Sequence, residues 1–198
     1  MPVLTDLQAV VSALPAKPFF FMRHGETDWN KNRLTQGRTD IPLNNTGQDQ
    51  AFLAMSLLVG HGITKLVSSP LRRAYETAKI VNRALVLPIE LHSGLVERGF
   101  GAAEGKPWVP GFVDSDLGEG SEALSPFHTR VVLALSDSLT RYPGPLLFVS
   151  HGGVYGAYGK FLAAIPDARA PNSVPFFFDP PGKYTTRWGI IPVDPTRT

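Results

Sequence analysis

Two histidines stand at the ends of apolar runs, and each is followed by glycine. Phe19-Phe20-Phe21-Met22 leads into Arg23-His24-Gly25-Glu26-Thr27, and Leu146-Leu147-Phe148-Val149-Ser150 leads into His151-Gly152-Gly153. An imidazole at the tip of a buried strand can attack a phosphorus atom while an adjacent arginine neutralises phosphate oxygens. Phosphate monoesters are dianions that repel nucleophiles and hydrolyse extremely slowly unaided. A catalyst for them needs a nucleophile, cations around the equatorial oxygens and an acid for the leaving alkoxide. His24 is the candidate nucleophile, provided its second ring nitrogen donates to a backbone carbonyl and so fixes the tautomer. Arg23 and one arginine of Leu71-Arg72-Arg73-Ala74 can clamp oxygens bidentately, and spacing alone does not choose between Arg72 and Arg73. His151 can donate to the same group, backed by the positive end of the helix that follows it.

The elements that must position these residues are legible as periodicities. Leu4, Leu7, Val11 and Leu14 recur at helical spacing, with Thr5 or Asp6 to cap and Pro15 to end the segment. A first strand is expected over residues 18–23, followed by a turn-rich loop from Gln36 to Asn45. Thr46-Gly47-Gln48-Asp49 reads as a capping box opening a helix to about Val59. Leu66-Val67-Ser68 reads as a second strand, with Ser69 and Pro70 at N-cap and N1 of a helix to Leu85. Further strands are expected at 88–91, 145–150, 174–178 and 187–193, and helices at 126–140 and after Gly153. Residues 99–126, rich in Gly, Pro and acidic groups, read as an irregular lid. Strands alternating with helices imply an α/β sandwich around a mainly parallel sheet.

At 198 residues, 43% hydrophobic and 18% charged, the chain fits one domain with a sizeable core. The net charge is +2 and the basic residues are spread, so no stripe points to nucleic acid. Cysteine is absent, which excludes disulfides, thiolate metal sites and cysteine nucleophiles. No apolar run reaches the roughly 18 residues of a membrane helix. The N-terminus has no basic leader, and Asp6 interrupts its apolar stretch, so a cytoplasmic location is expected.

Taken in order, five motifs resemble the histidine phosphatase superfamily, in its phosphoglycerate-mutase-like branch. They are Arg23 to Asn30, Gln36 to Asn44, Ser68 to Ala74, Leu95-Val96-Glu97-Arg98 with Phe100-Gly101 and Glu104-Gly105, and Ser150-His151-Gly152. The resemblance covers most of the chain from Phe19 onward and implies a three-layer sandwich with helices on both faces. It also implies a two-step transfer: His24 takes the phosphoryl group while Glu97 protonates the leaving oxygen, and water activated by Glu97 then hydrolyses phosphohistidine. Arg23, Asn30, Arg73 and His151 would hold the oxygens, with Gln36, Gly37, Arg98 and Gly152 at the substrate. Asp28 and Glu104 are the substitutes for Glu97 as donor. The resemblance implies no metal and no cofactor.

Other features read more plainly. His61, His92 and His128 match no motif and are expected on the surface or in the core. The arginines would repel a cation near His24, and Gly118-Glu119-Gly120 follows no strand and is no dinucleotide loop. From Pro107 to Phe127 the lid has no Lys, Arg or His but holds Asp114, Asp116, Glu119 and Glu122. Such a lid disfavours substrates with two phosphates, so a phosphatase acting on a small-molecule phosphate ester is expected before a mutase. A module that only binds phosphorylated ligands is the non-enzymatic alternative. Trp108, Phe112 and Phe127 are expected to give the lid an apolar lining suited to a carbon-rich leaving group. The N-terminal extension over residues 1–17 is expected to pack on the core or to pair subunits in a homodimer.

Overall fold

Phe19, Phe20, Phe21 and Met22 are all buried, as expected of a strand covered on both faces. In a computed structural model, which describes residues 6–108, 119–165 and 168–193, they lie in β1 (Phe19–Arg23). Alternation along the strand sends Phe19 and Phe21 into one core and Phe20 and Met22 into another. The remaining elements, in chain order after α1 (Leu7–Ser12) and β1, are α2 (Asp28–Lys31), α3 (Asn45–Ser56), β2 (Lys65–Ser68), α4 (Arg72–Leu85) and β3 (Ile89–Leu91). They continue with α5 (Leu124–Arg141), β4 (Leu146–Ser150), α6 (Gly152–Tyr158), β5 (Pro175–Asp179) and β6 (Gly189–Pro192).

Among the described residues, six strands form one sheet in the order β3-β2-β4-β1-β5-β6. β3, β2, β4 and β1 run parallel, while β5 is antiparallel to both of its neighbours. Residues of α5 and α6 cover one face: Leu135, Leu139 and Tyr158 pack with Phe19, Phe148 and Phe178. The other face is covered by α3 and α4, through Ala54, Ala74, Ala78 and Val81. The Phe19 and Phe178 rings stack at 4.6 Å across β1 and β5. Each such buried ring contributes about 1.5–3 kcal/mol of burial free energy, so the strands beneath the site are rigid.

Register then decides what meets at the carboxyl edge. Arg23 pairs with Ser150, and Ser68 with Val149, so β1, β4 and β2 end side by side. The His24 N–H donates to the Ser150 carbonyl at 2.9 Å, which extends the pairing to the histidine itself. Ligands of open α/β sheets bind at such carboxyl ends.

Element boundaries shift by a few residues from the sequence reading, three of them for visible reasons. α3 is capped by Asn44 and not Thr46, because Asn44 Oδ1 accepts the Gly47 N–H at 2.8 Å while its amide donates to Glu26 at 2.9 Å. α4 begins at Arg72, with Ser69 and Pro70 outside it, because the Ser69 hydroxyl is engaged by His151 at 2.8 Å. α5 starts two residues before Pro126, which lies in its first turn, where an imide nitrogen is tolerated. Of the expected N-terminal helix, Leu4 lies outside the described residues. Asp6 caps the remainder, Val11 and Leu14 pack on the core, and Lys17 Nζ donates to Leu139 and Tyr142 carbonyls at the end of α5. Among the described residues, no helix is long and apolar enough to cross a membrane.

Candidate active site

His24 leaves β1 into a loop whose peptide groups are gripped one by one. Its Nδ1 lies 2.7 Å from the Gly25 carbonyl, which can only accept, so Nδ1 carries the proton and Nε2 keeps its lone pair. The His24 carbonyl accepts from Asn172 Nδ2 at 2.8 Å, and the Gly25 N–H donates to Thr77 Oγ1 at 3.0 Å. The Thr77 hydroxyl in turn donates to the Arg73 carbonyl at 2.7 Å, and the Glu26 N–H reaches Gln50 Oε1 at 2.9 Å. Gly25 is required here because a Cβ would collide with the Gly47 carbonyl oxygen. Burial, then the charges of Arg73 and Arg23, hold the His24 pKa well below 6.5 despite the Gly25 bond. Both causes favour the neutral imidazole, the form in which Nε2 can act as a nucleophile.

His151 faces it, with ring centroids 5.3 Å apart and planes at 60°. Its Nε2 meets Ser69 Oγ at 2.8 Å. That hydroxyl accepts the Leu71 N–H at 3.3 Å and can give its own proton to Nε2, which makes Nδ1–H a donor. Nδ1 is buried and has no protein partner among the described residues. Burial and the nearby charge of Arg73 also hold this pKa well below 6.5.

Burial separates the two arginines of α4. Arg72 is exposed and paired with Glu76 at 2.7 Å. Arg73 is fully buried, with Nη2 donating to the Gly37 carbonyl at 2.7 Å and Nη1 to the Thr39 carbonyl at 2.9 Å. Burial lowers its pKa to about 10, with Glu97 and Asp40 opposing, so it stays charged at neutral pH. Arg23 donates from Nη1 to the Ala170 carbonyl at 3.2 Å, and burial lowers its pKa against the opposing charge of Glu97. The Nε atoms of both arginines are buried without a protein partner, and neither pairs directly with a carboxylate among the described residues. Burying charge without a direct counter-ion is costly, and two such guanidiniums make this region a candidate anion site.

Glu97 stands on a second wall, within electrostatic reach of Arg23 and Arg73. Its Oε1 accepts the Arg98 N–H at 2.9 Å and its Oε2 the Gly153 N–H at 3.0 Å. A Cβ on Gly153 would strike Oε1, so the second glycine after His151 makes room for this carboxylate. The two substitutes are placed differently. Glu104 accepts from the Arg38, Thr39 and Phe100 N–H groups and from the Thr39 hydroxyl. Burial would raise its pKa, but these bonds, led by Thr39, outweigh it and hold the carboxyl below its usual range. Glu104 therefore anchors the entrance loop, where Gly37 adopts φ +54° directly against it. Asp28 is exposed at the start of α2.

The other expected residues divide between site and scaffold. Asn30 Oδ1 accepts from Thr27 N–H and Oγ1 in a capping box, which leaves its amide for a ligand. Gln36 is buried, its Oε1 without a protein partner. Gly152 opens α6 beside Arg23. Arg98 is 2% exposed, lies over the Phe100 ring and donates from Nε to the Glu122 carbonyl at 2.7 Å, so it links the Glu97 turn to the lid. The lid itself departs from its expected apolar lining. Phe127 belongs to the core at 1% exposure, because α5 begins early enough to turn it inward. Trp108 stays partly exposed, edge-on to Phe100, while Phe112, Asp114 and Asp116 lie outside the described residues. Glu122 is paired with Arg130 at 2.7 Å and Arg38 at 3.1 Å, so its charge is spent inside the lid.

His61 packs on Phe20, His92 caps the Ser93–Leu95 turn, and His128 lies between Phe127 and Phe161, all away from His24. Among the described residues, no group of three His, Asp or Glu side chains could hold a metal ion. Thr77, Asn172, Gln50 and Arg130 support the site without a motif to announce them, while Ser69 lies within the Ser68 to Ala74 motif but holds His151 and not a helix end. Of the first four, only Thr77 carried a signal, lying one helical turn after Arg73 on the same face.

The chain is similar to known proteins in sequence and in fold. A profile described as the histidine phosphatase superfamily (branch 1) matches residues 19–173. A Bacillus subtilis (strain 168) protein named as an uncharacterized phosphatase, PhoE, is 38% identical across 69% of this chain and 72% of its own. A Yersinia enterocolitica protein named as a probable phosphoglycerate mutase, GpmB, is 34% identical across 74% of this chain and 75% of its own. Among solved structures, a mycobacterial glucosyl-3-phosphoglycerate phosphatase complexed with VO3 superposes with a TM-score of 0.76 at 25% identity, covering 88% of this chain and 97% of that one. The protein TTHB049 from Thermus thermophilus gives 0.70 at 27% identity, covering 89% and 99%. With these likenesses and the paired histidines in hand, the chain belongs to the histidine phosphatase superfamily, an enzymatic family of α/β fold that includes phosphatases and phosphoglycerate-mutase-like proteins.

Proposed function

We propose that the protein is a phosphatase that hydrolyses a small-molecule phosphate monoester in the cytoplasm through a phosphohistidine on His24. The observation that carries this is the pair of facing imidazoles, with ring centroids 5.3 Å apart, beside two guanidiniums whose Nε atoms are buried and unpartnered. His24 Nε2 attacks phosphorus and the P–O bond to the leaving group breaks. Glu97 gives its proton to the departing oxygen. Arg23, Arg73, the Asn30 amide and His151 Nδ1–H take the non-bridging oxygens, and Gln36 and Gly37 line the entrance. Glu97, now a carboxylate, takes a proton from water, whose oxygen attacks the phosphohistidine and releases inorganic phosphate. These residues supply nucleophile, charge and proton by themselves, so the reading involves neither metal nor cofactor.

Phosphatase is favoured over mutase by the basic residues near the lid. Arg38, Arg98 and Arg130 all converge on Glu122, so a second phosphate would have to displace an existing contact. The half-exposed Trp108 supports a carbon-rich leaving group. A denaturing quench at alkaline pH, where a phosphoramidate survives, tests the proposal with radiolabelled monoester. Label should be retained by the wild type and absent from His24→Ala. An active wild type that retains none would contradict it, as would label in His24→Ala.

A further inference from the structure

Arg130 lies in the second turn of α5, outside every motif, yet its guanidinium is engaged along its whole edge. Nη1 donates to the Gly94 carbonyl at 3.0 Å and to the Val96 carbonyl at 2.5 Å. Nη2 donates to the Glu97 carbonyl at 2.9 Å and to Glu122 Oε2 at 2.8 Å, while Nε meets Glu122 Oε1 at 2.7 Å. Three carbonyls of the turn that delivers Glu97 therefore converge on one planar fork, which a lysine could not reproduce. Glu122 fixes that fork bidentately and also accepts the Gly99 N–H at 3.3 Å, on the far side of Glu97. The segment before Glu97 and the segment after Arg98 are thus tied to the same ion pair.

We propose that Arg130, held by Glu122, is the positioning residue of the proton donor. It fixes the main chain at Glu97 so that the carboxyl stays seated between the Arg98 and Gly153 amides, facing the leaving oxygen. Arg130 touches no reacting atom, so its effect must follow the demand for protonation. A leaving group that departs as a stable anion needs no proton, whereas an alkoxide does. This inference rests on the reading of Glu97 as donor.

The test is single-turnover phosphoryl transfer by the full-length protein from an alkyl phosphate and from a dinitrophenyl phosphate, comparing wild type, Glu97→Gln, Arg130→Met and Arg130→Lys. Displacing a catalytic group by about 1 Å costs about 10²-fold. Arg130→Met should therefore lose about that much with the alkyl ester and only a few-fold with the dinitrophenyl ester, at little change in KM. Arg130→Lys should show the same selectivity to a smaller degree, and it serves alone should Arg130→Met not fold. Equal losses on both esters, or no loss on either, would overturn the positioning role. If Glu97→Gln is selective and both Arg130 variants are not, only this inference fails. If Glu97→Gln is itself unselective, the donor assignment fails with it.

Discussion

His24 is carried by a strand end and held through its own peptide groups, whereas Glu97 is carried by an irregular turn and held by an arginine from a distant helix. On the first wall, Asn172, Thr77 and Gln50 each take one backbone group of residues 24–26, and the strand beneath is packed on both faces. On the second, the carbonyls of Gly94, Val96 and Glu97 depend on Arg130, and the carboxylate rests on two amides. The difference matches the two tasks. A nucleophile must keep one tautomer and one line of attack, while an acid that later turns base must serve two oxygens in succession. The first wall should therefore fail in stability and rate together, and the second in rate alone.

The strongest break is at the nucleophile: His24→Ala should lower kcat by about 10⁴-fold or more, measured on any monoester that the wild type turns over. Arg73→Lys should follow, with a loss of about 10²–10³-fold, because an ammonium cannot keep the Gly37 and Thr39 carbonyls and also meet the phosphoryl oxygens. The two glycines then separate the walls. Gly25→Ala drives a Cβ into backbone at Gly47 and should lower stability by about 1–3 kcal/mol in urea unfolding, with activity falling alongside. Gly153→Ala meets the tip of the Glu97 side chain and, more loosely, the buried Phe127 ring, so stability should fall less than for Gly25→Ala while turnover of alkyl esters falls by about 10-fold or more. Arg72→Ala should be nearly silent, with the urea midpoint and the rate both unchanged, since that side chain is exposed.

Acid should weaken the protein through its paired imidazoles. Unfolded, both take up protons near 6.5; folded, burial and the arginines hold both pKa values well below that. Between those limits the unfolded chain binds more protons, so stability falls as pH drops below about 6.5 and is unaffected by these groups above it. The midpoint of thermal unfolding, followed from pH 7 to pH 5, should decline, and a His24→Asn, His151→Asn double variant should flatten the decline.

Much of the first wall was legible from residues alone, because buried strands write themselves as apolar runs and both histidines follow them directly. The mainly parallel sheet followed from strands alternating with helices. The second wall was legible only at Glu97 itself. Arg130 acts on carbonyls 33–36 residues away, and Asn172 on a carbonyl 148 residues away; contacts to main chain leave no mark on the identity of the residue contacted. Ser69 read as a helix cap because serine before Pro70 favours one, and the neighbouring His151 took its hydroxyl instead. Phe127 read as lining the lid from its place in the segment, yet α5 turns it into the core.

Direct attack by water and transfer through His24 differ in what happens at phosphorus. Hydrolysis of a monoester made chiral at phosphorus with heavy oxygen isotopes, run in isotopically distinct water, reads that difference. Two successive displacements at phosphorus, as transfer through His24 requires, should give overall retention of configuration; inversion would contradict the phosphohistidine.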